Sequence, residues 1–356
     1  VDAQWLADWT ARAGDAVGAL AHAVASFLGA AAMRLASTLL APGSTMSVPV
    51  LALSLAAFAV AVAHRRRGRG VSWRVLRRVL LPRRLFGTAS GRTDAWFALT
   101  GVTITGIALG WTLISAQVVR ASVQPWLGTP LQPWLPGWVA IIVATLVLFV
   151  VYEFTYFFDH WMKHRVSWLW HFHKVHHQAE SLSLLTNYRV HPVDTIIFVN
   201  LLALFLGTTQ AVLLVVLGHT ATPLAIGGTN LIVIVSVTLL THLQHSHLWI
   251  TFGPRWGRWL LAPAHHQIHH SDDARHHNRN MGDVLAVFDH LFGTFWMPAP
   301  AREVRRFGVD DGSPDPHGLR AALLDPFVAS ARALVPTREP GPALATKRAP
   351  DRVTAA

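Results

Sequence analysis

The chain has 356 residues, of which 52% are hydrophobic and 14% charged; a water-soluble domain carries nearer ~25% charged residues, so the composition reads as a membrane protein and excludes a disordered chain. The absence of cysteine excludes disulfide scaffolds, thiolate zinc sites, iron–sulfur clusters and cysteine nucleophiles. The net charge of +11 falls on arginines beside apolar runs, the positive-inside pattern rather than a nucleic-acid surface.

Val1 reads as a start made by processing or trimming. Residues 1–41 are Ala-rich, and Trp5, Leu6, Trp9, Val17, Leu20, Val24 and Phe27 recur at helical spacing. They predict an amphipathic helix lying at the membrane interface, with a span at 16–33 as the alternative. Apolar runs long enough for a bilayer core, ~20 residues, follow at 46–63, 95–119 and 138–158. Residues 195–217 and 224–240 read as a helical hairpin turned by Gly218–Pro223. Residues 64–84 carry nine arginines, which places this loop in the cytoplasm; it orients the chain on anionic lipid or docks an acidic carrier. The loop at 120–137, with Trp126 and Trp134, suits the opposite face. Threading onward brings the ends of the third span and of the hairpin back to the cytoplasmic side. Residues 298–356 read as a loosely ordered cytoplasmic tail with one helix at 318–334.

The fold class is therefore all-α: a polytopic membrane protein of four to five transmembrane helices with a cytoplasmic histidine-rich helical cap. The domain reading is 1–45 for the N-terminal helix, 46–137 for a first transmembrane pair with its basic loop, 138–297 for a catalytic domain, and 298–356 for the tail.

Eighteen of the 21 histidines lie between residues 160 and 290. They form H-x-x-x-H at His160 and His164, then H-x-x-H-H at His173, His176 and His177, and again at His266, His269 and His270. On a helix, positions i, i+3 and i+4 share one face, so each unit aims its imidazoles at one point. Neutral imidazole suits zinc, iron, copper and nickel. Eight such ligands exceed what one tetrahedral ion uses, so two metals are implied. His245 is a ninth candidate ligand and His242, one turn earlier, a tenth. His22, His219 and His317 read as ordinary core or interface residues, His64 as part of the basic flank, and His247 as interfacial. His171 and His265 point off the ligand face, and His276, His277 and His290 are candidates for orienting a ligand imidazole.

No Glu-x-x-His or H-E-x-x-H occurs in this region, which argues against soluble carboxylate di-iron bundles and zinc peptidases. Glu153, Asp159 and Asn280 are further candidates for supporting a ligand from behind. Glu153 reads equally as a charge at the end of the third span. Asn187, Arg189, His191 and Trp161 are candidates for touching substrate, His191 also for ligating. Phe154, Tyr156, Phe157 and Phe158 read either as pocket walls or as packing aromatics. Ionisable residues are nearly absent from the spans, which argues against a transporter.

The stretches DHWMKHRVSWLWHFHKVHHQAE (159–180), LLTNYRVHPVD (184–194), HLQHSHL (242–248) and APAHHQIHHSDDARHHNRNMGDVLAVFDHLFGTFW (262–296) together resemble the fatty acid hydroxylase/sterol desaturase superfamily of membrane di-iron enzymes. The order of the boxes, the R-x-H-P after the second and the D-x-L-F-G-T close carry the resemblance, over about residues 138–297. Trp161 stands where many relatives have Arg, and Asn280-Met281-Gly282 where many have N-Y-G. The resemblance implies two iron ions, which zinc can replace in a purified sample, and dioxygen as co-substrate. It implies hydroxylation of an unactivated C–H bond in a fatty acyl, sterol or isoprenoid lipid drawn from the bilayer. Two electrons would come from a separate electron-transfer protein. Desaturation or ether-lipid oxygenation at the same site are the alternatives, and a non-oxygenase metal-binding membrane protein is the reading of another class.

Overall fold

The computed structural model describes residues 3–41, 44, 46–65, 72–74, 87–101, 114–218, 222–309 and 317–335. The basic loop at 64–84 lies almost wholly outside them. Among the described residues the architecture is helical, with one two-stranded hairpin. The helices are α1 (Ala3–Leu40), α2 (Val48–Arg65), α3 (Ala89–Thr100), α4 (Ala116–Leu127), α5 (Gly137–Arg165), α6 (Ser167–His177), α7 (Pro192–Leu217), α8 (Leu231–Ser236), α9 (His242–Gln244), α10 (Gly253–Gly257), α11 (Pro263–His269), α12 (Val287–Phe292) and α13 (Leu319–Leu334).

Among the described residues three helices are long and apolar enough to cross a membrane: Arg12–Leu40 within α1, α5 and α7. The helix α5 has 29 residues, ~44 Å at 1.5 Å per residue. A bilayer core takes ~20 of them. The apolar run is therefore spent near Phe158, and Asp159–Arg165 extends the helix by about two more polar turns. The helix α7 runs the other way. His191 caps its N-terminus, its ring accepting from the Val193 amide at 3.2 Å, with Pro192 in its first turn. Its far end meets the Trp-rich loop, where Leu131 N donates to Val215 O at 2.9 Å and Trp134 Nε1 to Val216 O at 2.8 Å. Small residues let the helices close: Ala140 and Ala144 of α5 pack with Leu213 and Leu217 of α7.

Residues 3–40 form one helix, α1, of 38 residues, with an apolar stretch long enough to span; both readings of this segment, interfacial and spanning, are helical. Several expectations change. The run at 95–119 is not one helix. Residues 102–113 lie outside the described chain, and a new helix, α4, starts at Ala116 with Ser115 as its cap, the hydroxyl accepting from Val118 N at 3.2 Å. The last span starts late, because 224–230 forms a hairpin pairing Ala225–Ile226 with Thr229–Asn230. That hairpin is anchored partway along α5, with Leu224 N donating to Thr145 Oγ1 and Asn230 Nδ2 to Thr145 O, both at 2.8 Å. From Thr145 to His160 is ~22 Å of helix and from Leu231 to Gln244 ~20 Å. The short segment thus covers only the half of α5 nearest the histidines.

The tail is not loose where it is described. The helix expected at 318–334 is α13, docked on α6 with Ala322 against Phe97 and Val175 and Ser330 Oγ donating to Trp168 O at 2.7 Å. Val304 joins the core of Trp249, Ala264 and Ile268.

Candidate metal centre

The last turns of α5 carry His160 and His164, and α6 turns back at Val166 to bring His173, His176 and His177 beside them. The helix α11, started by Pro263 in its first turn, adds His266 and His269, with His270 at its C-terminal cap. The structure gathers nine imidazoles into two adjoining groups: His160, His164, His173, His177 and His269, and then His176, His245, His266 and His270. Within each group one nitrogen per ring lies within 4.8 Å of all the others. The groups touch where the His177 and His270 rings stack at 4.4 Å.

The tautomers follow from the partners, because a carbonyl or carboxylate oxygen only accepts. His160 Nδ1 donates to Met281 O at 2.8 Å, His269 Nδ1 to Arg279 O at 2.8 Å, His176 Nδ1 to Arg189 O at 3.2 Å and His173 Nδ1 to Asp194 Oδ2 at 2.9 Å. Asn187 Nδ2 donates to Leu184 O and His242 O, so its Oδ1 accepts from His245 Nδ1 at 2.8 Å. Five rings thus present a bare Nε2 lone pair inward. His245 Nε2 stands 3.0 Å from His176 Nε2, 2.8 Å from His266 Nε2 and 3.2 Å from His270 Nε2. The first group repeats the pattern around His177 Nε2, with His164 and His173 at 3.2 Å and His269 at 3.1 Å. Where both tautomers are fixed, at His176 and His245, two lone pairs face each other in a dry site and repel, and a cation between them removes the conflict. Burial also holds the rings neutral: His245 and His269 are held down at about 3, and His176, His177, His266 and His270 well below the ordinary value. The residues present fit a pair of bound cations.

His242 stands outside both groups. Its Nδ1 meets Ser54 Oγ of α2 at 2.7 Å. The helix winds through a π turn at Val237–Thr241 and ends at Gln244, with His245 at its C-terminal cap; the two rings leave this last turn toward different partners, Ser54 for His242 and the imidazoles for His245.

Arg189, expected at a substrate, is fully buried. Its Nη1 meets Asp94 Oδ1 at 3.1 Å and its Nε donates to Val175 O at 2.7 Å. His191 is buried as the α7 cap and meets Leu323 O at 3.1 Å. Asn187 holds a ring instead of facing substrate. Trp161 is half-buried beside Phe158 and Phe292, its ring 6.4 and 5.7 Å from theirs.

Of the supporting candidates, Glu153 accepts from Val284 N and Leu285 N at 3.0 and 2.8 Å, Asp159 pairs with Lys163, and Asn280 holds His265 O and Trp296 N. His277 is exposed. The support comes from elsewhere. Asp194 buttresses His173 and also pairs with Lys163. The loop at Asn278–Met281 aims two carbonyls at His269 and His160. Asn278 and Asn280 turn it with φ of 59° and 53°, a left-handed conformation Asn tolerates. Asp194 in the first turn after His191-Pro192 and the spaced asparagines were the signals available in the sequence.

Residues 145–294 match the family model described as fatty acid hydroxylase. The chain is 30% identical over 199 residues to cholesterol 25-hydroxylase-like protein 2 of Danio rerio, covering 53% of this chain and 64% of that protein. It is 28% identical over 229 residues to ornithine lipid hydroxylase OlsE of Rhizobium tropici, covering 63% and 62%. It is 28% identical over 167 residues to alkylglycerol monooxygenase of Homo sapiens, covering 46% and 32%. The chain thus spans less than two thirds of the length of each. No solved structure matches it.

Proposed function

We propose that this chain, a member of the fatty acid hydroxylase superfamily, is an integral membrane monooxygenase that hydroxylates an unactivated C–H bond of a bilayer lipid. The single observation carrying this is the convergence of nine imidazoles from α5, α6, α11 and the end of α9 into two adjoining groups, in a chain whose relatives are lipid hydroxylases and monooxygenases.

The nine histidines would hold two irons, which would supply dioxygen activation and C–H oxidation with two electrons from an outside protein. Met281 O, Arg279 O, Arg189 O, Asp194 and Asn187 fix the tautomer and direction of five of these rings, so that Nε2 is their free nitrogen. Lys163 neutralises Asp194 without competing for the imidazoles. Phe157, Phe158 and Trp161, on the α5 turns around His160, line the approach from the apolar layer and exclude water. Trp161 is the side chain best placed to meet an acyl or isoprenoid chain. The site is read as cytoplasmic from the arginine-rich loop.

The test is purified, iron-loaded protein in lipid with reductant, an electron carrier and dioxygen, analysed by lipid mass spectrometry. Gain of one oxygen supports hydroxylation, and loss of two hydrogens points to desaturation. Loss of an ether-linked chain points to the chemistry in the alkylglycerol monooxygenase name. No change with intact protein and full metal overturns the reading.

A further inference from the structure

A second surface lies beside the histidine groups. Residues 253–261 and 284–292 are bound into one unit: Leu261 N donates to Val284 O at 2.8 Å, Ala286 N to Trp259 O at 2.9 Å, and the His290 ring meets Arg258 O at 2.8 Å. Glu153 of α5 fastens the unit from below through the Val284 and Leu285 amides. Phe288 packs on Phe154 and Phe157 of α5, and Phe292 on Phe157 and Trp161, with centroids 4.9–5.9 Å apart. The unit therefore lies along ~12 Å of α5, between residues 153 and 161.

Its outer face is apolar. Trp256 is 58% exposed, Trp259 59% and Leu291 72%, with Val287 beside them. Arg255 and Arg258 are exposed on the same face, the Arg255 guanidinium 5.6 Å from the Trp256 ring. The acidic residue of the unit's second segment nearest this face, Asp289, is fully buried, so the face is cationic. Tryptophans with arginines at the end of an apolar helix match the headgroup boundary of a bilayer. The exposed apolar side chains of α5, such as Val150 at 44%, continue the surface toward the membrane centre.

We propose that Trp256, Trp259, Val287 and Leu291, with Arg255 and Arg258, rest in the anionic headgroup–acyl boundary of the leaflet that adjoins the histidine groups. The proposal rests on α5 crossing the membrane, not on the chemistry at the metals. It places the metal site at lipid depth, so that a substrate chain reaches His160 and His164 without leaving the bilayer.

The chain has no cysteine, so single spin labels read depth cleanly. The full chain carrying Leu291→Cys, Trp259→Cys, Val150→Cys or Arg275→Cys would be placed in nanodiscs of phosphatidylcholine with or without phosphatidylglycerol. Retained metal content reports the fold of each variant. Labels at 291 and 259 are expected to show an oxygen-over-nickel-chelate accessibility ratio several-fold above the label at 275 and below that at 150. Phosphatidylglycerol should raise the ratio, and Arg255→Gln with Arg258→Gln should remove that rise. Ratios at 291 and 259 equal to 275, with 150 still deep, overturn the proposal. So does protection from both reagents, which would mean that protein covers the face. Insensitivity to phosphatidylglycerol overturns the anionic assignment. A shallow label at 150 overturns the spanning of α5 and this contact with it.

Discussion

Asp194 accepts the Nδ1 hydrogen of His173 at 2.9 Å, so the first turn of α7 decides which nitrogen of an α6 imidazole faces the first histidine group. The same carboxylate pairs with Lys163, which also holds Asp159 at 2.5 Å. A chain of Lys163, Asp194 and His173 thus joins three helices at the level where the apolar run of α5 ends. All three side chains are buried, and so is Asp159, so these charges are compensated within the protein rather than by water.

Asp194→Asn is the direct test of that chain. The variant removes the anion that orients His173 and leaves Lys163 with one carboxylate, that of Asp159. Support of this kind is worth ~10–100-fold in metal affinity. The expected outcome is a loss of bound metal in that range, read by titration against a chelator. A variant that binds metal as tightly as the parent would make Asp194 structural only.

His242 and His245 separate ligand from neighbour. His245→Ala removes a nitrogen that meets three other imidazoles, while His242→Ala removes a contact with Ser54. Elemental analysis should find the metal-to-protein ratio lowered in His245→Ala and unchanged in His242→Ala. Equal losses in both would mean that His242 reaches the site after all.

Acid should unfold the metal-free protein through the same rings. Folded, His245 and His269 titrate near about 3, whereas unfolded they take a proton at the ordinary 6.5. The unfolded chain binds more protons below 6.5, so stability is complete above that value and falls as the pH drops toward 3. Asp283 has the opposite sign. Burial raises its carboxyl from 3.8 to about 6, so its contribution is full below 3.8 and lost as the pH rises through about 6. Burial raises Asp94 and Asp289 in the same direction, and the seven imidazoles from His173 to His270 in the two groups outnumber these carboxyls. Thermal unfolding in detergent should therefore show a lower midpoint at about pH 5 than at about pH 7, and a flat profile would contradict the buried neutral rings.

Much of this site was legible because a box at i, i+3 and i+4 carries its own geometry: once His173–His177 or His266–His270 is helical, the rings must share a face. Helix length was legible for the same reason, since the apolar runs of α5 and α7 state how far each reaches. What supports the rings was not. The carbonyls of Met281, Arg279 and Arg189 have no letter, and Asp194 lies 21 residues from the ring it holds. One-turn spacing puts His242 beside His245 but does not tell which of the two rings meets the imidazoles and which meets Ser54. The run at 224–240 was overextended because apolar letters do not distinguish a strand hairpin from a helix.

Arg189 illustrates a second kind of misreading and gives a further prediction. Beside R-x-H-P it resembles a headgroup anchor, yet it is buried against Asp94, which also accepts from Thr186 Oγ1 at 2.6 Å. Breaking a buried ion pair costs ~3–5 kcal/mol because one charge is left uncompensated. Arg189→Met should lower the unfolding midpoint markedly, and adding Asp94→Asn should restore part of it. An anchor would behave differently: KM for the lipid would rise with the midpoint unmoved.

Gly207 tests the packing that holds α7, and hence Asp194, in place. A Cβ there would stand 2.6 Å from the Ala116 carbonyl oxygen and 2.6 Å from Val119 Cβ of α4. The oxygen belongs to backbone and cannot swing aside, so α4 must move, at a cost of ~1–3 kcal/mol. Gly137→Ala is the matched control, because nothing lies within 4 Å of its added methyl. Gly207 is ~20 Å along the helix from Asp194, so the local shift should not reach the imidazoles. The expected result is a lower unfolding midpoint for Gly207→Ala with metal content unchanged, and no effect for Gly137→Ala. Metal loss in Gly207→Ala would instead show that α7 moves as a rigid rod and carries Asp194 away from His173.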